Sequence, residues 1–215
     1  MRRRVLIAAL LLALTVVGAA IARDPRAERI NLKPADVALA KRIALKAGDL
    51  GAGWTKKPLQ ASAQRLHCAE FNPDFSAFTI TGKARTAYAY ASSAQVISSV
   101  EVYKSRQEAI GDFKLGAKPE LAKCLRRDLD KQFAASGLPI RVTSARVVPA
   151  PRVGEQRIAY RVVAKVDTAS GKANVYTDLV AFQRGRSIAV LSFMTPFKPY
   201  PAPARLAAAV ASRMR

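Results

Sequence analysis

A single histidine, His67, serves all 215 residues, and only two cysteines, Cys68 and Cys124, accompany it. One histidine denies the chain most base-assisted nucleophile arrangements and most metal centres, which gather several imidazole or thiolate ligands. The sequence also lacks the nucleophile elbow G-x-S-x-G, the zinc motif H-E-x-x-H and the phosphate loop G-x-x-x-x-G-K. Acids are scarce as well, 15 against 36 lysines and arginines. A glycosidase needs two inward carboxylates. Asp128 and Asp130 stand among arginines and lysines and read as helix ion pairs, which leaves Glu101 and Asp178 as the acids most firmly set in strands. No cofactor and no metal is expected. A secreted hydrolase or thiol enzyme stays as the alternative reading.

What is present begins with MRRRVLIAALLLALTVVGAAIA. Three arginines, an uncharged aliphatic run from Val5 to Ala22 and a closing Ala-Ile-Ala form the three parts of a secretory signal. The expected division is a signal peptide over 1–22, a short polar tether over 23–33 and one domain over 34–215. The expected location is secreted or at the extracytoplasmic envelope. The alternative is an uncleaved N-terminal helix acting as an anchor, since eighteen apolar residues lie at the short edge of what spans a bilayer. Losing the signal removes three arginines and no acid, taking the net charge from +21 to +18.

In an oxidising compartment two cysteines of one compact domain usually pair. Residues 119–136 place Leu121, Leu125, Leu129 and Phe133 on one helical stripe, with Cys124 beside it and turned to the core. A Cys68–Cys124 bond would fasten the segment LHCAEFNPDF to that helix. His67 with Cys68 as a catalytic pair, a metal site, or two free thiols are the competing arrangements.

Further periodicities place the other elements. PADVALAKRIALKA, 34–47, predicts a helix with Pro34 in its first turn, ended by Gly48. SAFTITG, ARTAYAYA and QVISSVEVY predict strands. Ser105 and Glu108 form a capping box for the helix that follows. Strands follow over 140–151, 157–167 and 173–183. In the second of these, Ile158, Tyr160, Val162, Ala164 and Val166 face one way, while Arg157, Ala159, Arg161, Val163 and Lys165 face the other. SIAVLSFM is apolar on both faces and predicts a central strand. A last helix from Pro203 carries Leu206, Val210 and Met214. Strands and helices fall into separate runs, which predicts an α+β domain with an antiparallel sheet flanked by helices.

Several of these stretches, taken in order, have a familiar look: AGDLGAGWT, CAEFNPDFSAFTITGKART, ISSVEVYKSRQEA, LAKCL, and VGEQRIAYRV with VYTDLVAFQRGRSIAVLSF. Over residues 36–213 the chain is similar to small secreted proteins and lipoproteins of high-GC Gram-positive bacteria. It also resembles the extracellular sensor domain of PknH-type serine/threonine kinases. The resemblance implies a sheet flanked by helices, the cysteine pair Cys68–Cys124, and a ligand-binding or structural role at the envelope. The kinase sensors carry a second disulfide that this sequence lacks, and no kinase segment is present.

The charge is the strongest remaining signal, because a field of this sign draws polyanions. Its densest spots are Lys56-Lys57, Arg126-Arg127 and Arg184 with Arg186, which are the candidate anion contacts. Anionic lipid headgroups or wall polymer are the expected partners. Nucleic acid is disfavoured, because no basic run is interleaved with stacking aromatics. Trp54, Tyr88, Tyr90, Tyr176 and Phe193 are the candidate lining of an apolar ligand cleft, with plain core as the competing reading. The expected function is therefore that of a non-enzymatic, sensor-like envelope protein that binds a ligand or an anionic surface.

Overall fold

The computed structural model describes residues 24–59, 68–91, 93–135, 140–168 and 171–214. Eight strands form one sheet: β1 (Arg29–Ile30), β2 (Trp54–Lys57), β3 (Thr79–Tyr90), β4 (Ala94–Tyr103), β5 (Ile140–Val148), β6 (Gln156–Thr168), β7 (Gly171–Arg184) and β8 (Ser187–Pro196). The order across the sheet is β1-β3-β4-β8-β7-β6-β5, with β2 also pairing β3. Every pairing is antiparallel except β1 with β3, so the α+β class holds and the sheet is mixed. The helical segments are α1 (Pro34–Ile43), α2 (Ala47–Leu50), α3 (Arg106–Gly116), α4 (Leu121–Ala135) and α5 (Pro203–Ala211). The apolar strand β8 lies in the middle of the sheet, as its sequence predicts. Among the described residues, no helix is long and apolar enough to cross a membrane.

Two layers of helix sandwich part of the sheet. On one face, α1 and α5 pack over β3, β4, β8 and the near part of β7, burying Ile43, Leu206, Val210 and Met214 against Val96, Val100, Leu191 and Phe182. On the other face, α3 sets Ala109 and Phe113 on Ile80, Tyr103 and Ile188. Beside it, α4 lays its predicted stripe on Tyr160, Val162 and Ala164.

Four expectations change in the folded chain. The helix from Pro34 ends at Ile43 rather than Ala47, and Gly48 lies inside the short turn α2. The cause is tertiary. Ser98 accepts a hydrogen bond from the Leu45 amide, and the hydroxyls of Tyr88 and Thr86 donate to the Leu45 carbonyl. The helical ladder therefore loses both backbone groups of Leu45 to the sheet. SAFTITG and ARTAYAYA, read as two strands, form one that runs through Gly82. A Cβ there would lie 2.2 Å from the Asp36 carbonyl oxygen, so glycine admits the first turn of α1 onto the strand. The third change concerns residues 29–33, expected as tether. They run alongside β3, with the amides of Arg29, Asn31 and Lys33 bonded to the carbonyls of Phe78, Ile80 and Thr81. The capping box is also half-formed: Ser105 caps Glu108, but the Glu108 carboxylate accepts from the Thr79 amide and ties α3 to β3. The signal at 1–22 and His67 lie outside the described residues.

Candidate functional site

The sheet is wider than the helices that cover it. On the α1/α5 face, strand register sets three rows across β5, β6 and β7. Arg146 stands opposite Arg161, which stands opposite Asp178. Next come Ser144, Val163 and Tyr176, and then Arg141, Lys165 and Asn174. These residues share a face because side chains alternate along a strand. Farther along, Lys172 pairs with Asp167. Arg141, Arg146, Lys165 and Lys172 are exposed and Arg161 is half-buried. Five cations thus meet two carboxylates on the part of this face over which no described helix lies.

Asp178 is the one carboxylate built into this floor, and it is only 4 % exposed. Arg161 grips it with a fork, Nε to Oδ1 at 2.6 Å and Nη2 to Oδ2 at 3.0 Å. These bonds outweigh burial and push the Arg161 pKa up, so its charge is permanent. A planar fork of this kind orients the guanidinium as well as neutralising the acid. A shallow groove of ≈ 270 Å³ opens above the pair. Its walls are the turn Val148-Pro149-Ala150-Pro151 on one side and Pro203 with Ala204 at the start of α5 on the other. The prolines follow β5 where no further ladder bond is needed, so they form a rigid apolar rim over a charged floor.

The predicted aromatic residues share this face but do not form an open cleft. Tyr88 and Phe193 are buried core residues. Trp54 lies 5.7 Å from Tyr90 and 6.2 Å from Tyr200, ring centre to ring centre. Tyr200 stacks on Phe193 at 4.9 Å and lids that end of the core. Tyr176 stands apart from this cluster, between Val163 and Thr195 on the basic half. Tyr200 had no periodic signal in FKPYPAP, and only the folded loop brings it to Phe193.

The six cations singled out as anion contacts are not gathered by the fold. Lys56 and Lys57 lie on β2, at the sheet edge opposite β5. Arg126 and Arg127 project from α4, on the other face, and Arg127 pairs with Glu70. Arg184 donates to the Ala211 carbonyl at the end of α5, at 3.3 Å. Arg186 holds Asp36 and the Tyr103 carbonyl. These arginines largely tie elements together. The basic half-face escaped a search for runs because Arg141 and Arg146 are five apart on β5, Arg161 and Lys165 are four apart on β6, and Lys172 stands on β7. The period-two reading of β6 did place Arg161 and Lys165 on one side, and that was the signal available.

Cys68 and Cys124 form a disulfide, with Cα atoms 5.7 Å apart. Neither therefore carries a thiol, and Cys124 is fully buried, as its place beside the α4 stripe implied. A hollow of ≈ 320 Å³ lies near the bond, between Glu70, Asn72, Lys118 and Glu120. Its two carboxylates suit no anion. The strand acids Glu101 and Asp178 do not meet. Glu101 points to the α3/α4 face, where it pairs with Lys83 at 3.1 Å, and Asp178 points to the other. No group of three or more metal-binding side chains occurs among the described residues.

No family model matches the chain, and neither does any curated protein. Among solved structures, an uncharacterised protein from Mycobacterium smegmatis is similar at 10 % identity and a TM-score of 0.38, over 83 % of this chain and 95 % of that one.

Proposed function

We propose that the protein is a non-enzymatic component of the cell envelope that binds an extended anionic surface through the open half of its sheet. The observation that carries this reading is the pairing of Arg146 with Arg161, directly opposite on neighbouring strands and on the face that described helices leave bare. Like charges placed so destabilise a sheet. Asp178 relieves Arg161 on its other side, while Arg146 has no acid opposite it. An anion lying across the pair removes that repulsion, so some of the cost is recovered on binding.

The layout suits many anionic groups rather than one. Neighbouring strands stand about 4.8 Å apart, and residues four apart on one strand about 13 Å. Arg146, Arg161, Lys165 and Arg141 therefore spread over a span wider than a single phosphate or carboxylate. Each exposed contact contributes little alone, and together they give binding that weakens steeply with salt. The signal-like segment 1–22 and the net charge of +21 agree with a partner of this kind outside the cytoplasm. A sensor-like binding role, implied by the resemblance to kinase sensor domains, belongs to the same proposal.

The test is binding to anionic vesicles and to purified wall polymer between low and physiological salt. The double variant Arg146→Glu/Lys165→Glu should lose at least tenfold in affinity and show a shallower salt dependence. Lys56→Glu/Lys57→Glu, of equal charge change, should lose far less. Equal losses from both would show that only net charge matters and would remove this face as the site.

A further inference from the structure

We infer that the surface bound by the basic half-face is an anionic lipid membrane, and that Phe197 is the side chain that enters it. This rests on the reading above and names its partner.

Phe197 is 62 % exposed, the most exposed large apolar side chain of the described residues. It also has φ +67°, in the left-handed region that bulky residues avoid. An aromatic ring held outward on strained backbone is a functional signal when the surroundings enforce it. Here they do. The Phe197 amide donates to the Asn174 carbonyl at 2.8 Å, the Thr195 hydroxyl donates to the Lys198 carbonyl at 2.7 Å, and the Lys198 amide donates to the Pro196 carbonyl at 2.8 Å. Beyond the tip, Tyr200 is stacked on Phe193 and fixes the return of the loop. The tip is therefore presented by the fold.

Its position joins it to the basic face. Asn174, which holds the Phe197 amide, pairs with Lys165 in the third row of cations, and Lys172 lies two residues before it. Lys198, next to Phe197, is exposed as well. A ring flanked by cations is the composition of a membrane-interface contact: the ring enters the headgroup boundary while the cations stay with the phosphates. A hydrophilic polyanion offers charge but no apolar phase, so it gives this ring nothing to enter. The membrane accounts for both features, and wall polymer for only one.

The experiment compares wild type, Phe197→Asn, Phe197→Trp and Arg146→Glu/Lys165→Glu. Co-sedimentation uses phosphatidylglycerol–phosphatidylcholine vesicles, pure phosphatidylcholine vesicles and soluble polyphosphate. Asparagine removes the ring and tolerates the positive φ, so the variant should fold. Phe197→Asn is expected to weaken binding to the anionic vesicles at least tenfold and leave polyphosphate binding unchanged. The Phe197→Trp minus wild-type fluorescence should shift to the blue with anionic vesicles and not with polyphosphate. Wild-type affinity of Phe197→Asn for vesicles, or no tryptophan shift, overturns the role of Phe197 while leaving the basic face intact. Binding to polyphosphate but not to vesicles overturns the membrane and returns the partner to a polymer. Undiminished vesicle binding by Arg146→Glu/Lys165→Glu overturns the basic-face reading itself.

Discussion

Arg186, in the turn between β7 and β8, donates a 2.8 Å hydrogen bond to the Asp36 carboxylate in the first turn of α1, 150 positions earlier in the chain. The same guanidinium bonds the Tyr103 carbonyl at 2.9 Å. One side chain thus pins α1 to two strands of the sheet. The Arg186 bond is the main cause that holds the Asp36 carboxyl below the ordinary carboxylate range, against the burial that would raise it. A depressed folded-state pKa gives stability that is present above the unfolded value, near 3.8, and lost as pH falls through the folded one. Asp36→Asn should cost about 1–2 kcal/mol at pH 7. The gap from wild type should narrow as pH falls below 3.8 and through the lower folded-state value. Thermal unfolding of both proteins across that range checks the sign, and a gap that widens in acid would refute it.

Gly82→Ala tests the seating of α1. The new Cβ meets backbone atoms of Asp36 and Val37 at 2.2–2.9 Å, and backbone cannot swing aside as a flexible side chain does. The expected cost is about 1–3 kcal/mol, as for overpacked cores, read as a lower urea midpoint. Gly48→Ala, where nothing lies within 4 Å, is the control that should change little.

Asp178→Asn separates stability from binding. The buried acid neutralises Arg161, so its loss strands a charge and should lower stability by about 1–3 kcal/mol. The face then gains one net positive charge. Affinity for anionic vesicles at low salt should therefore rise, with a steeper salt dependence. Weaker binding by a folded Asp178→Asn would mean that the pair itself, rather than the summed field, makes the contact.

The disulfide closes a loop across 56 positions and joins the segment before β3 to α4. Cys124→Ser should destabilise by about 2–4 kcal/mol. Reduction of wild type should lower its unfolding midpoint to a similar degree, while leaving vesicle binding by the still-folded protein unchanged, because the bond lies on the α3/α4 side. Lost binding at a temperature where the reduced protein is folded would tie the two regions together.

Much of this architecture is local in origin, and the amino-acid order alone determined it. The stripe Leu121, Leu125, Leu129 and Phe133 makes α4 amphipathic at any distance from its partners. The alternation from Ile158 to Val166 sets which residues of β6 meet that helix. The doubly apolar SIAVLSFM belongs in mid-sheet because both its faces need cover. The Cys68–Cys124 pairing followed from the presence of only two cysteines and from one helical face. Tertiary structure decided the rest, since the forces involved act between residues remote in sequence. Leu45 leaves its helix because Thr86, Tyr88 and Ser98 reach it across the sheet. SAFTITG and ARTAYAYA read as two strands until the backbone of α1 is placed on Gly82. The basic half-face exists only once β5, β6 and β7 are in register: Arg146, Arg161 and Asp178 are spread over 33 positions, and strand pairing alone sets them side by side.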